Sequence, residues 1–337
     1  MSIVFGISFI LFSCQSSNKK AEYESETESE NISPELSLKI DRFEIDLFST
    51  PVDSVKEQIP NLKSKYGEFF DIFTYKIINI GSSDKKDFPK YLKSFITDKY
   101  MYITYDRVKK TYPDFNTPGS ELEEGFKNYK LLFPDKTIPH IYTMISGFNQ
   151  SIVTADTILG ISLDKYLGRS CEFYENLGLP QYQRRTMERE FIATDALRGW
   201  CYSEFSYNDS AENLLTNILY EGKIIYLLKE LFPETPDSII LGYTANQLKW
   251  CKVNQKEMWT FLIERKLIFS IDYMTINKLI NPAPFTSFFT TESPGKAVVW
   301  LGYGIIDAYM RNNKLTISQL MLNSNYQGIL EQSKFQP

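Results

Sequence analysis

The stretch NLLTNILYEGKIIYLLKEL (213–231) decides how the rest of the chain is read. Its apolar residues recur with helical spacing. Leu214, Ile218 and Ile225 share one face, flanked by Leu215 and Gly222. Glu221 lies on that stripe, seven residues after Leu214 and four before Ile225. A carboxylate buried there alone would shift its pKa upward or cost several kcal/mol. It therefore requires a partner: a metal, an arginine or a water network. The identity of that partner separates an enzyme from a non-enzyme.

Before this helix, residues 191–205 read as another, carrying Asp195, Arg198, Trp200 and Glu204. A helical stretch at 181–189 supplies Arg184, Arg185 and Arg189. After it, residues 244–264 read as one long helix bearing Trp250 and Trp259. The segment NPAPF (281–285) must be extended, because each proline excludes helix from its predecessor. Ser293-Pro294-Gly295 reads as a helix start, with serine at the N-cap and proline at the first helical position. Gly302 and Gly304 then allow close packing, and a short helix at 317–321 precedes a loose tail.

The first half mixes signals. LSLKIDRFEIDLF (36–48) alternates apolar and polar residues, as a strand does. Residues 52–66 form a helix with Asp53 as its N-cap and Gly67 beyond its end. Helices follow at 88–95, 98–112 and 121–133, with Thr117-Pro118-Gly119 as a turn. Three strands come next, at 138–146, 151–154 and 157–164. Strands first and helices afterwards give an α+β fold, predominantly helical, with a small N-terminal sheet.

Composition narrows the function. At 337 residues the chain can bury roughly 75% of its unfolded surface. A net charge of −5 leaves no basic footprint for nucleic acid. The single histidine, His140, excludes HExxH and other multi-histidine zinc sites, and on its own it reads as structural. Cys171, Cys201 and Cys251 form no CxxC pair and read as buried small hydrophobes. Asp164-Lys165-Tyr166 ends a strand, where a solvated position is the default and a contribution to a cleft the alternative. Asp156, Asp195 and Glu204 are the carboxylates from which an acid–base pair could be drawn.

The chain starts MSIVFGISFILFSC (1–14). Its apolar run is shorter than the roughly 20 residues of a membrane span and fits a secretory signal. Leu11, Phe12, Ser13 and Cys14 resemble a bacterial lipobox ending at the lipidated cysteine, although no Lys or Arg precedes Cys14. Residues 15–35 hold Glu22, Glu24, Glu26, Glu28 and Glu30 among small polar residues, the composition of a disordered tether. One globular domain is expected over 36–330.

Five strings carry a resemblance: LGISLDKYLG (159–168), YENLGLPQYQRRTMEREFIATDALRGWCYSEF (174–205), NLLTNILYEGKIIYLL (213–228), PDSIILGYTANQLKWC (236–251) and INPAPFTSFFTTESPGKAVVWLGYGIIDAYM (280–310). Together they resemble the GldB family, gliding-motility lipoproteins of Bacteroidetes. The resemblance implies a lipid-anchored envelope protein required for gliding and type IX secretion. It further implies an outer-membrane location facing the periplasm and partners among the other proteins of that machinery. A more remote similarity is to predicted zinc proteases, in which HExxH is followed by a helix containing Glu-Gly. In that frame Thr194 and Arg198 stand at the histidine positions, Asp195 at the general base and Glu221 at the third ligand. Threonine and arginine cannot replace imidazole at zinc. The implied core is therefore a degenerate zincin-like one, with no metal, no cofactor and no catalysis. Arg198 is expected to pair with Glu221 in place of the metal, with Arg184, Arg185, Arg189 or a solvated groove as the alternatives. Two other functions stay open: an envelope hydrolase using Asp195, Glu204 or Glu221, and a ligand-binding module using the aromatic loop at 281–289.

Overall fold

A computed structural model describes residues 36–207 and 212–337. The signal-like start, Cys14 and the acidic spacer lie outside the described residues. Strand β1 (Ile40–Arg42) is only three residues long, because the chain turns directly into helix α1 (Phe43–Phe48). The expected strand at 36–48 is thus half helix: Phe43 and Leu47, four apart, are both buried. Helix α2 (Val55–Ile72) is two helical rods joined across Gly67, so the first rod ends where the sequence places its end. Gly67, at φ 50° and ψ −129°, kinks the rod, and Phe69 and Phe70 beyond it are fully buried. Asp53 caps nothing. Helices α3 (Phe88–Thr97) and α4 (Lys99–Thr111) follow, and Asp98 accepts the Tyr100 and Met101 N–H groups at 2.8 and 3.0 Å. Helix α5 (Asn116–Leu132) begins ahead of the expected Thr117–Gly119 turn and absorbs it. Pro118 sits in its first turn, where a missing N–H forfeits no helix bond.

Strands β2 (His140–Met144), β3 (Ile152–Ala155) and β4 (Ile158–Ser162) complete a four-stranded sheet in the order β1-β2-β4-β3. β1, β2 and β4 run parallel; β3 and β4 form an antiparallel hairpin. Alternate residues of β2 and β4 divide two cores. Ile141, Leu159 and Ile161 face the larger helical core, whereas Tyr142, Met144 and Ile158 join an aromatic cluster built on Phe43, Phe69, Phe70 and Phe73. The fold is predominantly helical α+β, but helices α1–α5 intervene between the first two strands.

The second half is helical: α6 (Glu172–Asn176), α7 (Gln181–Arg184), α8 (Ile192–Glu204), α9 (Leu214–Leu231) and α10 (Asp237–Leu241). Then come α11 (Ala245–Val253), α12 (Gln255–Glu264), α13 (Tyr273–Ile280), α14 (Val298–Asn312), α15 (Ile317–Leu322) and α16 (Tyr326–Ser333). Helix α9 is the axis of this half and is buried nearly all round, beyond the single stripe read from its sequence. Asn213 and Thr216 cap it reciprocally. Helix α14 crosses α9 where Gly222 meets Gly302. A Cβ on Gly222 would lie 2.5 Å from the Gly302 backbone, so neither position tolerates a side chain.

Three expectations fail here. The long helix at 244–264 is two, broken at Asn254, whose side chain donates back to the Trp250 carbonyl at 2.8 Å. Helix α14 starts at Val298, not Ser293. Ser293 and Thr286 instead tie the preceding loop, with Ala297 N–H donating to Thr286 Oγ1 at 2.8 Å. The tail is helix α16, which buries Tyr326 and Ile329 against the α9–α14 pair. Among the described residues no helix is long and apolar enough to cross a membrane.

Candidate functional site

Helices α8 and α9 bring Asp195, Arg198, Tyr202 and Glu221 together. On α8, Arg198 and Tyr202 are four apart and share a face; Asp195 lies one turn earlier. Glu221 projects from α9 into this face. Its partner is Tyr202, whose hydroxyl lies 2.9 and 2.8 Å from the two carboxylate oxygens. Among the described residues no ion pair within 4.0 Å joins Arg198 to Glu221. Arg198 instead donates through Nη2 to the Ile240 carbonyl, which closes α10. The expected direct Arg198–Glu221 pair is therefore replaced by a hydroxyl relay. Physically, a tyrosine one turn along α8 reaches the carboxylate first, and the guanidinium satisfies an orphan helix-end carbonyl. Arg184, Arg185 and Arg189 do not take the role either. Arg185 donates to Gln247 Oε1 at 3.1 Å and to Gly242 O at 2.5 Å.

The remaining expected positions are separate. Thr194 is buried, and its hydroxyl donates to the carbonyl of Phe191, the residue that precedes its helix, at 3.2 Å. Asp195 accepts from the Tyr166 hydroxyl at 3.1 Å. Burial pushes its carboxyl above the usual range, against the opposing pull of Arg198, Tyr166 and Lys296. Glu204 turns away from the site to Lys136, 2.8 Å distant. Asp156 is exposed in the β3–β4 turn at φ 39°. These carboxylates do not form one acid–base pair. His140 bridges Asp41 and the Tyr142 hydroxyl at 2.8 Å each, at the far end of the sheet. Cys171, Cys201 and Cys251 are free and buried.

Asp164 corrects the expectation of a solvated strand end. It is fully buried and accepts the N–H of Phe148 at 2.6 Å and of Ser146 at 3.2 Å. Burial raises its pKa to about 6 despite those bonds.

Sequence reasoning missed Tyr202, Lys296 and Tyr243, and read Tyr166 only as part of a strand end. Tyr202 supplies the hydroxyl that holds Glu221. Tyr166 holds Asp195. Lys296, at φ 55° just before α14, approaches both acids, and burial lowers its pKa, as do the charges of Arg198 and Arg185. Tyr243 is buried beside the same charges and donates to the Lys296 carbonyl at 3.0 Å. Tyr202 was visible at helical spacing from Arg198; Lys296 and Tyr243 carry no local signal.

Lys296 and Tyr243 also open the centre to a cavity of about 350 Å³, lined further by Lys165, Tyr182 and Arg185. The loop at 281–289 serves two purposes. Pro282 and Ala283 form part of the cavity wall, while Phe288 and Phe289 pack on Phe261. Chemically, the centre has two acids, a guanidinium, an ammonium and three phenols. Among the described residues no group of three or more His, Cys, Asp or Glu is placed to hold a metal ion.

Comparison with known proteins gives one match. The family described as gliding motility protein GldB matches residues 24–337, nearly the whole chain. Neither the curated proteins nor the solved structures gave a match. The likeness to zinc proteases thus has no support outside the frame around Thr194, Arg198 and Glu221. With the match running through both cores and the polar centre, the chain belongs to the GldB family of gliding motility lipoproteins.

Proposed function

We propose that the protein is a non-catalytic, lipid-anchored component of the gliding and type IX secretion machinery. Cys14 holds it to the outer membrane facing the periplasm, and its working contacts are with other envelope proteins of that machinery. The protease-like frame at Thr194, Asp195, Arg198 and Glu221 is a degenerate zincin-like site in this reading. The observation that supports it is the donor set. Where a metal would sit, Arg198 keeps a permanent positive charge, Lys296 adds a second, and both oxygens of Glu221 face the Tyr202 hydroxyl. A divalent cation would enter against those charges and find one carboxylate with no imidazole. The centre is then a structural device that locks α8, α9 and the α10 end together.

Complementation tests this. A strain lacking the gene would receive the wild-type chain, Glu221→Gln or Asp195→Asn, and spreading on agar would be compared at matched protein abundance. Both variants are expected to restore spreading. Loss of spreading by a variant that accumulates normally and melts like wild type would overturn the reading and restore the hydrolase.

A further inference from the structure

The cavity beside the polar centre has an unusual lining. Lys165, Arg185 and Lys296 contribute to its wall, and no Asp or Glu does, in a chain of net charge −5. A second cavity of about 820 Å³ shares Tyr182 and Arg185 with it and adds Arg169 and Arg184, against the single acid Glu175. Of these five cations only Arg169 has an ion-pair partner among the described residues, Glu188 at 2.9 Å. Lys165 touches only the Phe148 carbonyl, at 3.3 Å. The Arg184 guanidinium makes no hydrogen bond among the described residues, and the buried Nε atoms of both Arg184 and Arg185 are unpartnered. Asp195 and Glu221 act on Lys296 through space, but neither comes within 4.0 Å.

Cations gathered in a confined space repel one another and lose hydration. The fold holds them there by construction. Lys296 sits at a left-handed residue, and Gly295 beside it lies so close to Ala283 that a Cβ would collide with that backbone. Lys165 closes the single turn Leu163–Lys165 that follows β4, next in sequence to the buried Asp164. Burial lowers the pKa of Lys165, Arg185 and Lys296 alike, the sign of charge left without full compensation. A perturbed cluster of this kind in a cavity is a candidate functional site.

We propose that these adjoining cavities bind a small ligand with an oxyanion head, phosphate or carboxylate, and a hydroxylated body of about hexose size. The head lies among Lys165, Arg185 and Lys296. Arg184 draws it in from the outer cavity. Ser151, Gln183, Thr186 and the Tyr182 and Tyr243 phenols offer hydrogen bonds to the body. A concave wall with a few convergent polar groups is the usual form of such a site. This binding is independent of whether the polar centre is catalytic.

Calorimetric titration of the full chain in detergent tests it, with glucose 6-phosphate and glucuronate as probes and glucose as the neutral control. Saturable binding of at least one anion is expected, weakening with added salt, and none of glucose. Whichever anion binds identifies the head group. Arg184→Gln and Lys296→Met should each weaken binding by about tenfold or more. Arg184 has no hydrogen bond or ion pair to lose, so its variant keeps the fold even if Lys296→Met does not. Failure of both anions to saturate, equal binding of glucose, or wild-type affinity in Arg184→Gln would overturn the proposal.

Discussion

The two sides of the sheet solve the same burial problem in opposite ways. On one side an aromatic cluster closes on itself: Phe43 lies edge-on to Tyr66, Phe69, Phe70 and Phe73, with centroids 4.7 to 6.3 Å away. Charges near it are met directly. Asp46 takes Lys65 and the Tyr66 hydroxyl, at 2.5 and 2.7 Å. On the other side four charges lack a direct counterion, although Lys229 of α9 pairs with Asp237 at 2.5 Å. Glu221 has a phenol, Arg198 a carbonyl, Asp164 backbone amides and Lys223 a carbonyl. The first side is built for stability. The second retains uncompensated charge at some cost, which is where a binding role is to be sought.

The largest expected effect breaks the aromatic side. Phe43→Ala removes a fully buried ring with four ring neighbours and should lower stability by about 3–5 kcal/mol in urea unfolding. A loss below about 2 kcal/mol would mean that the cluster relaxes and the contrast between the two sides is overstated. The charged side should respond less. Tyr202→Phe strips Glu221 of its hydroxyl partner and is expected to cost about 1–3 kcal/mol. Adding Glu221→Gln to it should recover part of that loss. If Arg198 carried Glu221 directly, Tyr202→Phe would be nearly neutral, and the urea midpoint distinguishes the two.

The sequence made the backbone of this comparison legible where the signal was periodic. Helix α9, the β3–β4 hairpin and the glycine at the α9–α14 crossing follow from spacing that tertiary packing also demands. It misled where local and tertiary demands diverge. Residues 43–48 alternate like a strand yet bury Phe43, Glu44 and Leu47, a helical set, because the aromatic cluster lies on that face. The chain after Leu322 lacks a long apolar run, yet two aligned residues, Tyr326 and Ile329, suffice to dock α16. Of the site, Asp195, Arg198 and Glu221 were legible from helical phase. What each touches was not, since Tyr202 and Ile240 compete for the same groups and phase alone gives no distances. The cation-lined cavity was illegible because Lys165, Arg185 and Lys296 come from three distant loops and helix ends.

The smallest effect should have the opposite sign. Lys223 on α9 is 2% exposed, with Nζ on the Asn323 carbonyl and 4.7 Å from the Tyr326 ring centroid. Burial lowers its pKa to about 8 from an ordinary 10.5. The unfolded chain keeps the ordinary value. Between about pH 8 and 10.5 the unfolded state therefore binds more protons, and stability rises with pH across that window. Below pH 8 both states are charged and the whole cost remains, at most about 3 kcal/mol. Lys223→Met keeps the length, removes the charge and leaves the Asn323 carbonyl without its donor. The net expectation is a gain of about 1–2 kcal/mol at pH 7 that shrinks as pH rises towards 10.5. Urea unfolding of both proteins at pH 7 and at about pH 9.5 reads it. A gain independent of pH would assign the effect to packing beside Tyr326. A loss at pH 7 would make the ring and the carbonyl worth more than the buried charge costs, and the two sides of the sheet would then differ in geometry but not in energy.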